Sequence, residues 1–73
     1  MKELFTIGEM AKLFGVNIRT LRYYDEICIL CPETTDPDSG YRYYSTRQFE
    51  RMNSIKYLRA LDMPLKSIAL FFE

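Results

Sequence analysis

Histidine is absent from this 73-residue chain, cysteine occurs only twice, and glycine and proline three times each. With no His and a single Cys-Ile-Leu-Cys pair, Cys28 and Cys31, one chain cannot complete the four Cys/His ligands of a structural zinc site. No βαβ pattern surrounds the pair to suggest a thioredoxin-like active site, so the thiols read as structural or incidental. No metal and no other cofactor is expected. The same poverty argues against an enzyme, since there is no nucleophile–base pair at a recognisable spacing and no phosphate-cradling glycine loop. No apolar run approaches a bilayer span, and the N-terminal MKELFTIGE lacks the apolar core of a secretion signal, so a cytoplasmic protein without membrane association is expected. The length predicts one domain, 1–73, at the small end of what folds alone, with no room for a separate catalytic domain.

Net charge is zero, which on its face argues against a nucleic-acid partner. Distribution says otherwise. Asp25 to Asp38 holds five acids and no base, whereas Tyr41 to Arg59 holds Arg42, Arg47, Arg51, Lys56 and Arg59 against Glu50 alone, a balance of +4. Such segregation is expected where one face meets a polyanion and another does not.

Residues 6–26, TIGEMAKLFGVNIRTLRYYDE, spell two short helices joined by a tight turn. Thr6 and Glu9 have the spacing of a capping box, so a helix should begin near Ile7. Ile7, Met10, Ala11 and Phe14 give it one apolar face, and Gly15 can close it in the left-handed conformation. Val16 plugs the turn and Asn17 caps the second helix. There Ile18, Leu21 and Tyr24 or Asp25 face inward and Arg19, Thr20, Arg22 and Tyr23 largely outward. A DNA-reading helix-turn-helix has this pattern, and so does any αα-hairpin.

Ile27 to Pro32 reads as an apolar exit, after which Asp36-Pro-Asp-Ser-Gly40 is a dense turn signal and Tyr41-Arg-Tyr-Tyr44 has strand character. A β-hairpin, or wing, over 32–44 is predicted, with its tip near 36–40, Arg42 and Tyr44 on one face and Tyr41 and Tyr43 on the other. The competing reading is a tyrosine-rich hairpin that only covers the core. Ser45 should cap a long helix, 46–61, whose Phe49, Met52, Ile55, Leu58 and Leu61 form an apolar sector that leaves Arg47 and Arg51 as solvated charges. Pro64 suits the first turn of a last helix, 64–72, with Leu65, Ile68, Ala69 and Phe72 in one stripe. The apolar end Ala-Leu-Phe-Phe-Glu is expected to be covered by a further helix or a second subunit.

The succession TIGEMAKLFGV, TLRYYDEI, GYRYYS and LRALDMPLKSI closely resembles the N-terminal DNA-binding domain of MerR-type transcriptional regulators, from about Leu4 to Ile68. The Asp-Pro-Asp-Ser-Gly-Tyr-Arg-Tyr-Tyr hairpin is most similar to the branch that senses drugs and other organic molecules. The resemblance implies a mainly α, winged helix-turn-helix fold followed by a dimerisation helix and an effector domain that are absent from these 73 residues. It implies a homodimer on pseudo-palindromic promoter DNA, a small-molecule effector, and distortion of the DNA that lets RNA polymerase use the promoter. Carried over by position, Arg19 and Arg22, with Thr20 beside them, enter the major groove, and Tyr23 and Tyr24 place hydroxyls on phosphates. Arg42 and Tyr43 grip the backbone from the wing, Arg59 joins the tyrosine on central phosphates, and Thr6 and Ile7 offer backbone amides. Cys28 stands where relatives often have Gly, and Met63-Pro64 replaces a hydroxyl cap. The domain alone is expected to dimerise poorly and bind DNA weakly.

Read from the residues without that resemblance, Tyr24 and Tyr41 can equally be core aromatics, Arg59 a surface charge and Thr20 a solvated hydroxyl. A winged-helix module that holds a protein partner is the alternative function, separable from DNA binding because it would survive moderate salt.

Overall fold

The computed structural model describes residues 3–72; Met1, Lys2 and Glu73, included in the expected domain, lie outside the described residues. The elements are β1 (Leu4–Thr6), α1 (Ile7–Phe14), α2 (Ile18–Glu26), β2 (Thr34–Thr35), β3 (Arg42–Ser45), a 3-10 turn (Thr46–Gln48), α3 (Phe49–Ala60) and α4 (Leu65–Phe71).

Both helices of the first pair start as their sequences dictate. The Thr6 amide donates to Glu9 Oε1 at 2.9 Å and the Glu9 amide to Thr6 Oγ1 at 3.1 Å, a complete capping box. Asn17 Oδ1 accepts from both the amide and the hydroxyl of Thr20, each at 2.9 Å.

Three helices stop by one device. At Gly15, Cys28 and Asp62 the chain turns left-handed, with φ of 64°, 62° and 64°. In each case that residue's amide bonds the carbonyl three back and the next amide the carbonyl five back: Gly15 to Lys12 and Val16 to Ala11, Cys28 to Asp25 and Ile29 to Tyr24, Asp62 to Arg59 and Met63 to Leu58. The following apolar residue is thereby turned back toward the core. Glycine adopts this conformation freely and aspartate tolerates it, but a cysteine side chain strains it by about 1–2 kcal/mol. Cys28→Gly, after the larger entropy loss of glycine, is expected to stabilise the domain by about 0.5–1 kcal/mol, read as a rise of about 2–8 °C in the thermal midpoint.

The expected wing is part of a three-stranded antiparallel sheet of order β1-β3-β2. Thr34 and Thr35 pair with Tyr43 and Arg42, and Leu4, Phe5 and Thr6 pair with Ser45, Tyr44 and Tyr43. The segment 4–6 has too few residues to show a period of its own, and its partner lies some forty positions away, so β1 was not legible locally. Its pairing ties the start of α1 to the wing and places Phe5 against Phe49, ring centroids 5.3 Å apart, with Phe14 on the same ring at 5.2 Å.

Met10, Leu21, Ile29, Leu30, Tyr44, Met52, Ile55 and Ile68 are all fully buried, so α1, α2, the exit segment, β3, α3 and α4 share one core. Each such side chain contributes about 1.5–3 kcal/mol of burial. Two expected core positions are corrected. Ile18, at the first turn of α2, is 38% exposed, and Leu61, which follows the last turn of α3, is 61% exposed. Both sit at helix ends, Ile18 as the first residue of α2 and Leu61 as the residue after α3.

The expectation that Arg51 is a solvated charge is also overturned. Its Nε donates to the Ile29 carbonyl at 2.6 Å while its guanidinium lies 4.1 Å over the Phe72 ring. Gln48 Nε2 donates to the Cys31 carbonyl and Lys56 Nζ to the Phe14 carbonyl. Polar side chains of the 3-10 turn and α3 thus satisfy carbonyls of the exit segment and of the end of α1.

Candidate nucleic-acid interface

α2 is a short helix with a polar exposed side. Arg19, Arg22 and Tyr23 are exposed, Thr20 is half-buried, and Leu21 and Tyr24 turn into the core. Its arginines occupy the first half and its acids, Asp25 and Glu26, the last turn. Beyond Glu26 the left-handed Cys28 sends the chain away, so the arginine-bearing half of the helix is uncovered.

The wing tip is built from its own side chains. Asp36 Oδ1 accepts from the Asp38 amide at 3.0 Å and Oδ2 from the Ser39 hydroxyl at 3.0 Å; Ser39 Oγ in turn accepts from the Tyr41 amide at 3.2 Å. Gly40, at φ 79°, supplies the positive angle and returns its amide to the Asp36 carbonyl at 2.8 Å. The Asp38 amide, and after it the Ser39 hydroxyl, hold the Asp36 carboxyl below the usual range. A depressed folded value makes this contribution present above about pH 4 and lost as pH falls through the lower folded pKa. The Asp38 amide resonance should therefore titrate at a lower pH than an ordinary aspartate, and Asp36→Ala should abolish that titration in a two-dimensional NMR series.

Tertiary packing brings α1, α2 and the wing to one place. Ile7, Arg22, Gly40, Tyr41 and Arg42 line a hollow of 420 Å³. Two arginines from different elements and Ile7 of the first turn of α1 line it, which is the composition expected of a surface that accepts anionic oxygens. Arg42 also leans across to α2, its NH1 3.5 Å from Asp25 Oδ2, with the two side chains 44% and 24% exposed. The pair is too wet to stabilise much, but it aims the guanidinium from the wing toward α2.

The other candidates divide. Tyr43 is half-buried on β3, and Tyr24 is 7% exposed, its ring part of the core. Burial pushes the Tyr24 hydroxyl upward in pKa and the neighbouring Arg59 charge pulls it partly back, so these two residues, thirty-five positions apart, are neighbours. Arg59 is exposed and donates through NH1 to the Met63 carbonyl at 3.0 Å, which orients it after the last turn of α3. This pair does not line the hollow. In the free domain the Thr6 amide donates to Glu9 and the Thr6 hydroxyl accepts from the Glu9 amide, as the capping box requires, and the Thr20 hydroxyl donates to Asn17. Tyr41, which the sequence allows either as a core aromatic or, with Tyr43, on the outer face of the strand, is 68% exposed and lines the hollow.

Comparison with known proteins fits this geometry. Residues 5–73 match the family described as MerR HTH family regulatory protein. The chain is 45% identical over 65 residues to the transcriptional regulator BrlR of Pseudomonas aeruginosa, covering 89% of this chain and 24% of that one. It is 44% identical over 69 residues to the multidrug-efflux transporter 1 regulator of Bacillus subtilis, covering 93% and 25%. The chain therefore spans about a quarter of the length of these relatives. Among solved structures, EcmrR in its DNA complex within EcmrR-RPo superposes with a TM-score of 0.90 at 35% identity, over 94% of this chain and 26% of that one. A winged helix-turn-helix with two arginines converging between recognition helix and wing, matched to that family over nearly its whole length, belongs to the MerR family of helix-turn-helix regulatory proteins.

Proposed function

We propose that this domain binds double-stranded promoter DNA by laying the exposed side of α2 in the major groove and the wing on the adjoining backbone. The observation that carries this reading is the shared hollow in which Arg22 of α2 and Arg42 of the wing face the N-terminal turn of α1. Arg19 and Arg22, with Thr20 beside them, meet base edges or flanking phosphates; Tyr23, Arg42 and Tyr43 meet phosphates beside the groove. Arg59 and the Tyr24 hydroxyl act together on phosphates nearer the operator centre, and the α1 N-terminus at Thr6 and Ile7 faces a further phosphate, which takes the Thr6 amide over from Glu9 Oε1.

In the whole protein the functional unit is a homodimer on a pseudo-palindrome. A groove of 670 Å³ along α3 and α4, lined by Phe49, Tyr57, Leu58 and Phe71 among others, together with exposed Leu70, supports an apolar contact there. A small organic effector bound elsewhere in the chain and RNA polymerase at a distorted promoter complete the proposal, as does a cytoplasmic location. Among the described residues no helix is long and apolar enough to cross a membrane. The protein acts by binding and deforming DNA rather than by catalysis.

The test is selection from random duplex DNA with the domain fused to a short dimerising coiled coil, beside an Arg19→Ala, Arg22→Ala control. Enrichment of an inverted repeat that vanishes in the control is expected. No enrichment, with binding that survives moderate salt, would transfer the weight to a protein-interaction role.

A further inference from the structure

Cys28 and Cys31 read from the sequence as incidental thiols, but their setting is organised. They flank Ile29 and Leu30, which are 0% and 1% exposed, while both cysteines are exposed. The backbone between them is held from outside, Arg51 bonding the Ile29 carbonyl and Gln48 the Cys31 carbonyl. The Asp25 carbonyl oxygen accepts from the Cys28 backbone amide at 3.1 Å and from Cys31 Sγ at 4.0 Å, which holds the Cys31 thiol beside the backbone of Cys28. Desolvation first, and after it the Cys28 thiol and the Asp25 side chain, raise the Cys31 pKa. Among the described residues no group of three or more Cys, His, Asp or Glu is placed to hold a metal ion.

We propose that Cys28 and Cys31 form a thiol–disulfide exchange site for low-molecular-weight disulfides. The Cys28 thiolate attacks one sulfur of a small disulfide, forming a mixed disulfide and expelling one thiolate, which takes up a proton. Cys31, deprotonating as it attacks, displaces the second small thiol and closes the Cys28–Cys31 bond. Two protein thiols are oxidised and one small disulfide is reduced to two thiols. The second step is fast because the attacking thiol stands three positions away in the same chain, and the product is easily reduced again because it is exposed and closes only a four-residue segment. Oxidation withdraws the Cys31 S–H from Asp25, the residue that orients Arg42.

The experiment is a redox titration of the 73-residue chain in buffers of rising oxidised-to-reduced glutathione ratio, quenched by acid, alkylated and read by intact mass. One two-electron transition from a doubly alkylated chain to an unalkylated internal disulfide is expected, with Cys31→Ser trapping a mixed disulfide at position 28 and Cys28→Ser removing that adduct. Two independent transitions ending in separate glutathione adducts, or no internal disulfide at any ratio, would overturn the proposal. Because no DNA is involved, failure here leaves the DNA-binding reading untouched.

Discussion

Arg22→Ala is expected to weaken binding to the selected duplex by about 5- to 150-fold at constant salt, or about 1–3 kcal/mol, and to flatten the preference at one position in each half-site. Arg22 lies on the exposed side of α2, where its planar fork can engage two acceptors on one guanine, and no other side chain on that helix duplicates its place in the hollow. Arg42→Ala should behave differently. Its loss weakens all sequences alike and lowers the salt slope by about 1, because a phosphate contact releases a counterion without reading a base. Binding isotherms at several salt concentrations on the selected site and on a scrambled site distinguish the two effects. Equal losses on both duplexes for Arg22→Ala would move that residue to the backbone class and leave base reading to Arg19. Asp25→Asn adds a control: it releases Arg42 from its 3.5 Å ion pair, so a grip weakened by that substitution would show the pair acts as a positioning device.

Tyr44→Ala is expected to cost about 3–5 kcal/mol, whereas Tyr44→Phe should be neutral or stabilising by about 1 kcal/mol. The Tyr44 ring is fully buried between the sheet and the helices, yet its hydroxyl has no hydrogen-bond partner among the described residues. Removing the ring leaves a large cavity at the centre of β3; removing only the hydroxyl relieves a desolvated polar group. For a 73-residue domain whose total stability is about 4–11 kcal/mol, the first change threatens folding outright. Burial, then the Asp25 carboxylate, with Cys31 adding in the same sense against the opposing pull of Arg42, push the hydroxyl up to about 12. A raised folded value means its contribution is intact below about pH 10, where the unfolded tyrosine begins to ionise, and is lost as pH rises toward 12. Urea melts across that window should show wild-type stability falling more steeply than that of Tyr44→Phe. Part of the slope should persist in the variant, since Tyr24 is shifted in the same direction.

The features legible in the residues alone are local. The Thr6–Glu9 box, the Asn17 cap, the left-handed Gly15 and the Asp36–Gly40 turn each involve residues at most four positions apart, and each formed from the groups that signalled it. Placing arginines on the outer side of α2 needed only the helical period together with Leu21 and Tyr24 inside. Tertiary structure decided what depends on distant partners. The pairing of β1 with β3 turned a hairpin into a sheet, and the carbonyls of the exit segment drew Arg51 out of solvent. Approach of the wing to α2 joined Arg42 to Asp25, and the course of α3 brought Arg59 to Tyr24. Those choices turn on which polar group finds an unsatisfied partner and which apolar side chain still faces a neighbour where its helix ends. Periodicity cannot supply either, because both are properties of two segments meeting and not of one segment alone.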